Sequence, residues 1–355
     1  PVATLQPNTT RAVLLAVTSL AFGFVTLSFE MILFRLYSYY LLPEATVFPM
    51  MLCAFLMAMA TAQVVGGRLV DLLSSRLAMF AQMVFLLAIA AMSVVMQVSE
   101  ETLLRLGVIP LHPFNLSPPF RPFVAICVGM TPVLFLSVFF PLTVKLATQH
   151  VDRTGNSIGV VLFWFTIGNL AGAIVTPFVL FGMLGTVNAI YVSFAVAFLG
   201  IVLVSIPLSR SHRPAAWIQL TVVALIAIFG LDTIPRDYYY RFSTIGILGT
   251  ADIGGHPEQV DETIHGVVGR TKQTGSYYVT VNRDPTARVM TSMPPLRDRN
   301  FSDLRVVDPD FAPKDVLIIG AGTMMFAYGL LQYPDVQSVT VVEILPKLIE
   351  WQRTL

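Results

Sequence analysis

The chain has 355 residues, of which 55% are hydrophobic and only 12% are charged, and its mean hydropathy is +0.74. Soluble domains carry about 25% charged residues, so this composition excludes an ordinary soluble protein and predicts a multi-pass membrane protein in contact with the lipid bilayer. The net charge of +1 gives no overall basic character, and we therefore expect no nucleic-acid partner.

Histidine and cysteine placement argues against haem and metal centres. Cys53 and Cys127 both fall inside apolar segments, where a small buried thiol is usual and a disulfide or metal pair is not expected. The histidines lie outside the apolar segments, so no pair is placed to ligate a haem in the bilayer. They are His112, His150, His212, His256 and His265.

Seven apolar segments predict seven membrane-crossing helices. At about 1.5 Å per residue, each is long enough, or nearly so, to cross roughly 30 Å of hydrocarbon. They cover approximately residues 11–34, 45–65, 77–98, 123–144, 157–181, 187–208 and 215–231. The proline-rich segment 99–122 cannot form a continuous helix, and we expect it to lie across one membrane face.

The composition changes after the last apolar segment, where acids and turn residues become frequent. Short alternating runs at 265–271, 277–281 and 287–291 predict strands, with a turn at 283–286 joining the last two. We therefore expect three parts: a transmembrane helical domain, a small β region and a partial Rossmann-like α/β unit. Their predicted bounds are 1–232, 233–310 and 311–355.

A glycine run near the carboxyl end predicts a nucleotide-binding βαβ unit. The apolar run 316–319 stops at Gly320, and the second β-branched run, 339–342, is closed by Glu343. Glycines let the backbone approach a cofactor, a helix amino terminus offers free N–H groups, and the acid can hold ribose hydroxyls. Parallel strands are normally buried on both faces of their sheet. We therefore expect a longer natural chain or a partner to cover this half-sheet.

Polar residues inside the apolar segments are further candidates. An ionisable group such as Glu30 costs about 2.5–3.5 kcal/mol in a membrane helix and raises a functional hypothesis. The alternative is that Glu30 pairs with Arg35 or reaches the membrane interface. Gln63, Thr166 and Asn169 are expected to form hydrogen bonds between helices beside small residues.

Lysine and arginine placement predicts the orientation, because short positive loops stay in the cytoplasm. With seven crossings, the face of the amino terminus carries Arg11, Arg68, Arg76, Lys145, Arg153, Arg210 and Arg213. The opposite face carries Arg35, Arg105, Arg121, Arg236 and Arg241. This bias predicts a protein of the cytoplasmic (inner) membrane with its amino terminus inside and its soluble segment outside.

Several stretches resemble membrane-fused spermidine synthase-like proteins of the polyamine aminopropyltransferase family. They are residues 29–36, 54–71 and 165–173 in the apolar segments, and 313–323 and 339–346 in the soluble part. The resemblance implies a class I methyltransferase-like fold that binds S-adenosylmethionine or its decarboxylated form and transfers an aminopropyl group to a polyamine nitrogen.

The same resemblance implies site residues. Gly320, Ala321, Gly322 and Thr323 would line the cofactor, and Glu343 would accept from its ribose hydroxyls. Two alternatives stay open. One is a non-catalytic membrane subunit of a larger complex, because methionines follow the glycine run. The other is a transporter of small cations, because residues 66–71 resemble the loop after the second helix of major-facilitator transporters.

Overall fold

The computed structural model describes most of the helical part and much of the remainder. The described residues are 9–40, 47–73, 76–98, 120–148, 154–208, 213–236, 259–263, 265–273, 276–281, 284–290, 313–321, 324–331 and 333–353. The chain divides into two compact units. The first is Pro1–Leu111 with Asn115–Tyr238, and the second is His112–Phe114 with Tyr239–Leu355.

The described part of the first unit is helical. Its elements are α1 (Thr9–Tyr40), α2 (Val47–Leu72), α3 (Leu77–Gln97), α4 (Phe120–Gly129), α5 (Thr131–Ser137), α6 (Phe139–Ala147), α7 (Thr154–Val175), a π-helix (Thr176–Leu180), α8 (Phe181–Leu208) and α9 (Arg213–Asp232). Five described helical segments are long and apolar enough to cross a membrane, or six if the bent segment of α4 to α6 is one crossing. These lengths indicate a multi-pass membrane protein.

Two of the predicted boundaries are wrong. Residues 66–71, expected in a loop, are the last turns of α2, where a Cβ at Gly66 would lie only 3.0 Å from the Val138 side chain. The predicted fourth span, 123–144, is broken into α4, α5 and α6 and bends by 44°. Pro132, the second residue of α5, has no N–H to continue the hydrogen bonds of α4, which accounts for the break.

Helix α1 is central to the first unit, and α7 runs parallel to it. A Cβ at Gly168 would overlap the carbonyl oxygen of Leu20, and one at Gly172 would overlap that of Phe24. One turn further, Thr176 Oγ1 donates to Ser28 Oγ at 2.8 Å. Both residue numbers rise together along this interface, so the two helices point the same way and their backbones are in close contact.

Helix α8 runs antiparallel to α1 over most of its length. The rings of Phe29 and Phe194 lie 4.8 Å apart, and a Cβ at Gly200 would lie 2.8 Å from the Phe22 ring. The change of direction from α7 falls near Gly185, which has φ 77° and ψ 172° inside α8. Only glycine adopts these angles readily, so this residue permits the chain to reverse.

The second unit contains an antiparallel sheet with strand order β1 (Gln259–Thr263), β2 (Gly266–Gln273), β3 (Ser276–Val281) and β4 (Asp284–Met290). The strands predicted at 265–271, 277–281 and 287–291 correspond to β2 to β4, although Thr291 lies outside the described residues. The sequence did not predict β1. The predicted turn at 283–286 is wrong, because Asp284 already pairs with Val281. Pro285 is tolerated there since β4 is an edge strand.

A parallel pair of strands follows. β5 (Asp315–Ile319) and β6 (Ser338–Val342) pair in parallel, with α10 (Met325–Leu330) between them in the chain and α11 (Pro346–Arg353) after them. The buried cluster of this unit joins β2 to the segment around α11. It consists of Val268, Ala321, Leu345, Leu348 and Trp351.

Candidate functional site

The glycine loop leaves β5 at Gly320. This residue has φ 90°, which favours glycine, and its N–H donates to the Val342 carbonyl at 2.8 Å. A Cβ at Gly320 would meet no described atom within 4 Å, so backbone conformation rather than crowding requires glycine here. Gly322 and Thr323, predicted to line a cofactor, lie outside the described residues. The loop therefore turns away from the sheet at the position that the sequence indicated.

Glu343 connects the two loops at the carboxyl ends of β5 and β6. Its Oε2 accepts from the Ala321 N–H at 2.7 Å, and its Oε1 accepts from the Leu345 N–H at 2.9 Å. Bonds to an ionised acceptor are stronger than neutral ones, so this carboxylate fixes the shape of the glycine loop. Each carboxylate oxygen has a second lone-pair site, which leaves acceptor capacity for hydroxyl groups of a ligand.

Met324 shapes the other end of the glycine loop. Its φ is 57°, in the left-handed region, and its N–H donates to the Ala321 carbonyl at 2.8 Å just before α10 begins. Its side chain packs against the buried cluster of the second unit.

On α11, Lys347 Nζ donates to Glu350 Oε2 at 2.8 Å, and this hydrogen bond raises the pKa of the exposed Lys347.

One face of the β5–β6 pair is apolar and exposed. Leu317 is 62% exposed, Ile319 85%, Val342 54% and Ile344 63%. The other face, with Val316, Ile318, Val339 and Val341, is half-buried. The described part of the chain does not cover this apolar surface.

Glu30 and Arg35 of α1 are not paired with each other. Arg35 is buried, and its guanidinium lies 4.5 Å above the centre of the Phe181 ring, a cation–π contact. Glu30 is half-buried, and no ion pair or hydrogen bond links its carboxylate to another residue that the structure describes. The expected Glu30–Arg35 pair is therefore not formed.

The hydrogen bonds between membrane helices are made by residues other than those expected. Gln63 and Thr166 lie on exposed surfaces of α2 and α7, and Asn169 Oδ1 is buried without a hydrogen-bond partner among the described atoms. The observed bonds between helices include Thr176 to Ser28, Gln82 to Ser205 at 3.4 Å and Ser93 to the Gly230 carbonyl at 3.0 Å. Sequence gives the polar residue but not the rotation of its helix.

Sequence reasoning also missed Ser137. Its Oγ is buried and has no hydrogen-bond partner within the described residues. The available signal was weak, because Ser137 is one of three hydroxyl residues in the apolar run 123–144, with Thr131 and Thr143. Such residues are common in membrane helices without a functional role.

Comparison with protein-family models, with curated proteins and with solved structures gives no match for this chain. The functional argument therefore depends on the geometry of its own residues.

Proposed function

We propose that the second unit binds an S-adenosylmethionine-type cofactor and that the chain is a membrane-anchored aminopropyltransferase-like protein. The observation that carries this proposal is the contact of Glu343 with the Ala321 N–H beside Gly320, whose φ is positive. Parallel strands, a glycine turn and an acid at the tip of the second strand are the parts of a Rossmann-like nucleotide site.

Transfer of an aminopropyl group from such a cofactor requires no covalent intermediate with the protein. A sulfonium cofactor supplies an activated leaving group when it is bound. The chain would orient the cofactor through the loop at Gly320 and Ala321 and would hold ribose hydroxyls on Glu343. The remaining requirements of such a reaction are that the attacking amine is held in position and is deprotonated.

Calorimetry on the full chain in mild detergent tests this function, with S-adenosylmethionine and its decarboxylated form as ligands. We expect one of them to bind and Glu343→Gln to weaken binding roughly tenfold, about the value of one charged hydrogen bond. Glu350→Gln is the matched control, since Glu350 contacts Lys347 on the exposed side of α11. Absence of binding by the unsubstituted protein to both compounds refutes the proposal.

A second candidate is a non-catalytic subunit of a membrane complex. The exposed apolar face of β5 and β6, with Ile319 and Val342 at its centre, favours it because such a surface is usually covered in proteins. Purification from the native membrane should then yield a stoichiometric partner. Recovery of a monodisperse single protein counts against this candidate.

For the membrane domain, we propose seven crossings with the amino terminus in the cytoplasm. Helices that would cross in the same direction pack in parallel: α7 on α1, and α6 on α2 through the Asp71–Lys145 ion pair of 2.6 Å. The reversal at Gly185 supports dividing the apolar stretch Gly155–Ser205 into two crossings. The five long apolar segments, the bent segment of α4 to α6 counted as one crossing, and the division at Gly185 together give seven crossings.

Labelling of single cysteines with an impermeant maleimide tests the crossing number and the orientation. In a variant with both native cysteines replaced by serine, His265→Cys should react in intact cells and Asp71→Cys should not. Both positions are exposed in their own units. Equal reactivity would refute the odd number of crossings, and the reverse pattern would refute the orientation.

A further inference from the structure

The two cysteines of the chain lie on neighbouring membrane helices, Cys53 on α2 and Cys127 on α4. Both are free thiols in this structure, and Cys53 is exposed while Cys127 is half-buried. The expectation of two separate buried thiols, made from the apolar segments alone, is therefore wrong for Cys53. Cα atoms of α2 and α4 approach within 8 Å, so the two thiols belong to helices that pack together.

Helix α2 and the bent segment of α4 to α6 run side by side in the same direction. A Cβ at Gly66 would lie 3.0 Å from the Val138 side chain, and Asp71 Oδ1 lies 2.6 Å from Lys145 Nζ. Each contact joins a residue of α2 to one that is 72–74 positions later in the chain. The start of α2 is therefore level with α4.

This alignment brings Cys53 level with Cys127. Asp71 follows Cys53 by 18 residues, and Lys145 follows Cys127 by the same number. Eighteen residues make five turns of an α-helix, so each cysteine lies on the side of its segment that carries the ion pair further along. The side chains of Cys53 and Cys127 are also close enough to interact electrostatically.

The bend between α4 and α5 preserves the alignment. Met130 N–H donates to the Ile126 carbonyl at 2.9 Å, and Leu134 N–H donates to the Met130 carbonyl at 3.0 Å. Helical hydrogen bonds are thus present on both sides of Pro132. The number of residues per turn is kept from α4 into α5, although the axis changes direction by 44°.

Tyr37 of α1 holds the opposite side of α4. Its hydroxyl donates to the Ala125 carbonyl at 3.3 Å, and a Cβ at Gly129 would overlap that hydroxyl. Cys127 is two residues from both Ala125 and Gly129, which places it about half a turn around α4 from them. Cys127 is therefore on the side of α4 away from Tyr37, at the edge that α4 shares with α2.

We propose that Cys53 and Cys127 are a redox-active thiol pair that closes reversibly as a disulfide between α2 and α4. The oxidant is a lipid-soluble quinone, because an exposed thiol in a membrane helix meets molecules that are dissolved in the bilayer. Two S–H bonds break and one S–S bond forms, and the two protons and two electrons pass to the quinone, which becomes a hydroquinone. The closed form ties the bent segment of α4 to α6 to α2.

The depth of the pair suits this chemistry. Cys53 is the seventh residue of α2 and Cys127 the eighth of α4, so each lies about 9–11 Å along its helix from the start. In the orientation proposed above, both helices begin at the outer face, where disulfides persist. The maleimide labelling described above tests that orientation separately. The cofactor proposal is also separate, since both cysteines belong to the first unit.

Thiol counting on the full chain in mild detergent tests the pair, with decylubiquinone as the oxidant. The reduced protein, denatured and treated with a maleimide that adds mass, should carry two tags. After incubation of the folded protein with decylubiquinone it should carry none, one hydroquinone should form per chain, and a phosphine should restore both tags. Cys53→Ser and Cys127→Ser should each keep their single tag, because no second thiol is within reach.

A displaced thiol is the matched control. Leu69 is also exposed on α2, and it lies about 24 Å along the helix from Cys53, whereas a disulfide requires Cα atoms within about 7 Å. The double variant Cys53→Ser with Leu69→Cys should therefore keep both tags. The proposal is overturned if the unsubstituted protein keeps its two tags in decylubiquinone, if the loss is not reversed by phosphine or appears only in dimers on a non-reducing gel, or if the double variant loses its tags equally.

Discussion

The contact between α1 and α7 gives the sharpest stability prediction. In Gly168→Ala, the new methyl would overlap the Leu20 carbonyl oxygen and lie 2.8 Å from Phe24 N. Both obstacles are backbone atoms, which cannot rotate away as a side chain would. Overpacking costs about 1–3 kcal/mol and alanine regains about 1 kcal/mol of helix propensity, so we expect a net loss of up to about 2 kcal/mol.

Gly159 provides a matched control in the same helix. A Cβ there meets no described atom within 4 Å, so Gly159→Ala should keep the propensity gain of about 1 kcal/mol without a clash. The two variants should therefore differ in stability by the overpacking cost of about 1–3 kcal/mol, or about fivefold to a hundredfold in the unfolding equilibrium.

Reversible unfolding in mixed micelles, followed by circular dichroism, measures this difference. Both variants change one hydrogen to one methyl in α7, so effects of composition and detergent cancel. If Gly168→Ala is as stable as Gly159→Ala, the close approach of α1 and α7 is not a feature of the folded protein.

Three further predictions concern other parts of the chain. Gly185→Ala forces alanine into φ 77° and ψ 172°, so the melting temperature should fall by the equivalent of about 1–3 kcal/mol. Lys145→Ala breaks an exposed ion pair with Asp71 and should cost less than about 1 kcal/mol, an effect that high salt removes in a denaturation series. Glu343→Ala should speed hydrogen exchange at the Ala321 amide roughly tenfold or more, and unchanged exchange would show that the carboxylate does not hold the loop.

Sequence predicted the elements whose signal is local. The segments 77–98 and 215–231 agree closely with α3 and α9, because a long apolar run with few charges forms a helix whatever it packs against. β5 and β6 were predicted for a similar reason, since β-branched runs closed by glycine or an acid favour buried strands. β1 has no such signal in Gln259–Thr263, and it becomes a strand by pairing with β2.

The candidate site was predicted only in outline. The positions of Gly320 and Glu343 followed from their spacing, whereas the contact of the carboxylate with the Ala321 N–H depends on the parallel register of β5 and β6. Inside the membrane, the sequence drew attention to Glu30 and Asn169 but not to Ser137. A polar residue in an apolar helix has the same local pattern whichever way its helix is rotated.

The sequence by itself determined that this is a membrane protein and approximately where its helices lie. It also located the glycine turn at Gly320 and the acid at the end of the second parallel strand, Glu343. Tertiary structure decided that α7 lies backbone to backbone on α1 and that the chain reverses at Gly185. The physical reason is that hydrophobic partition depends on local composition. Close approach and backbone reversal depend on how distant segments pack and rotate against one another.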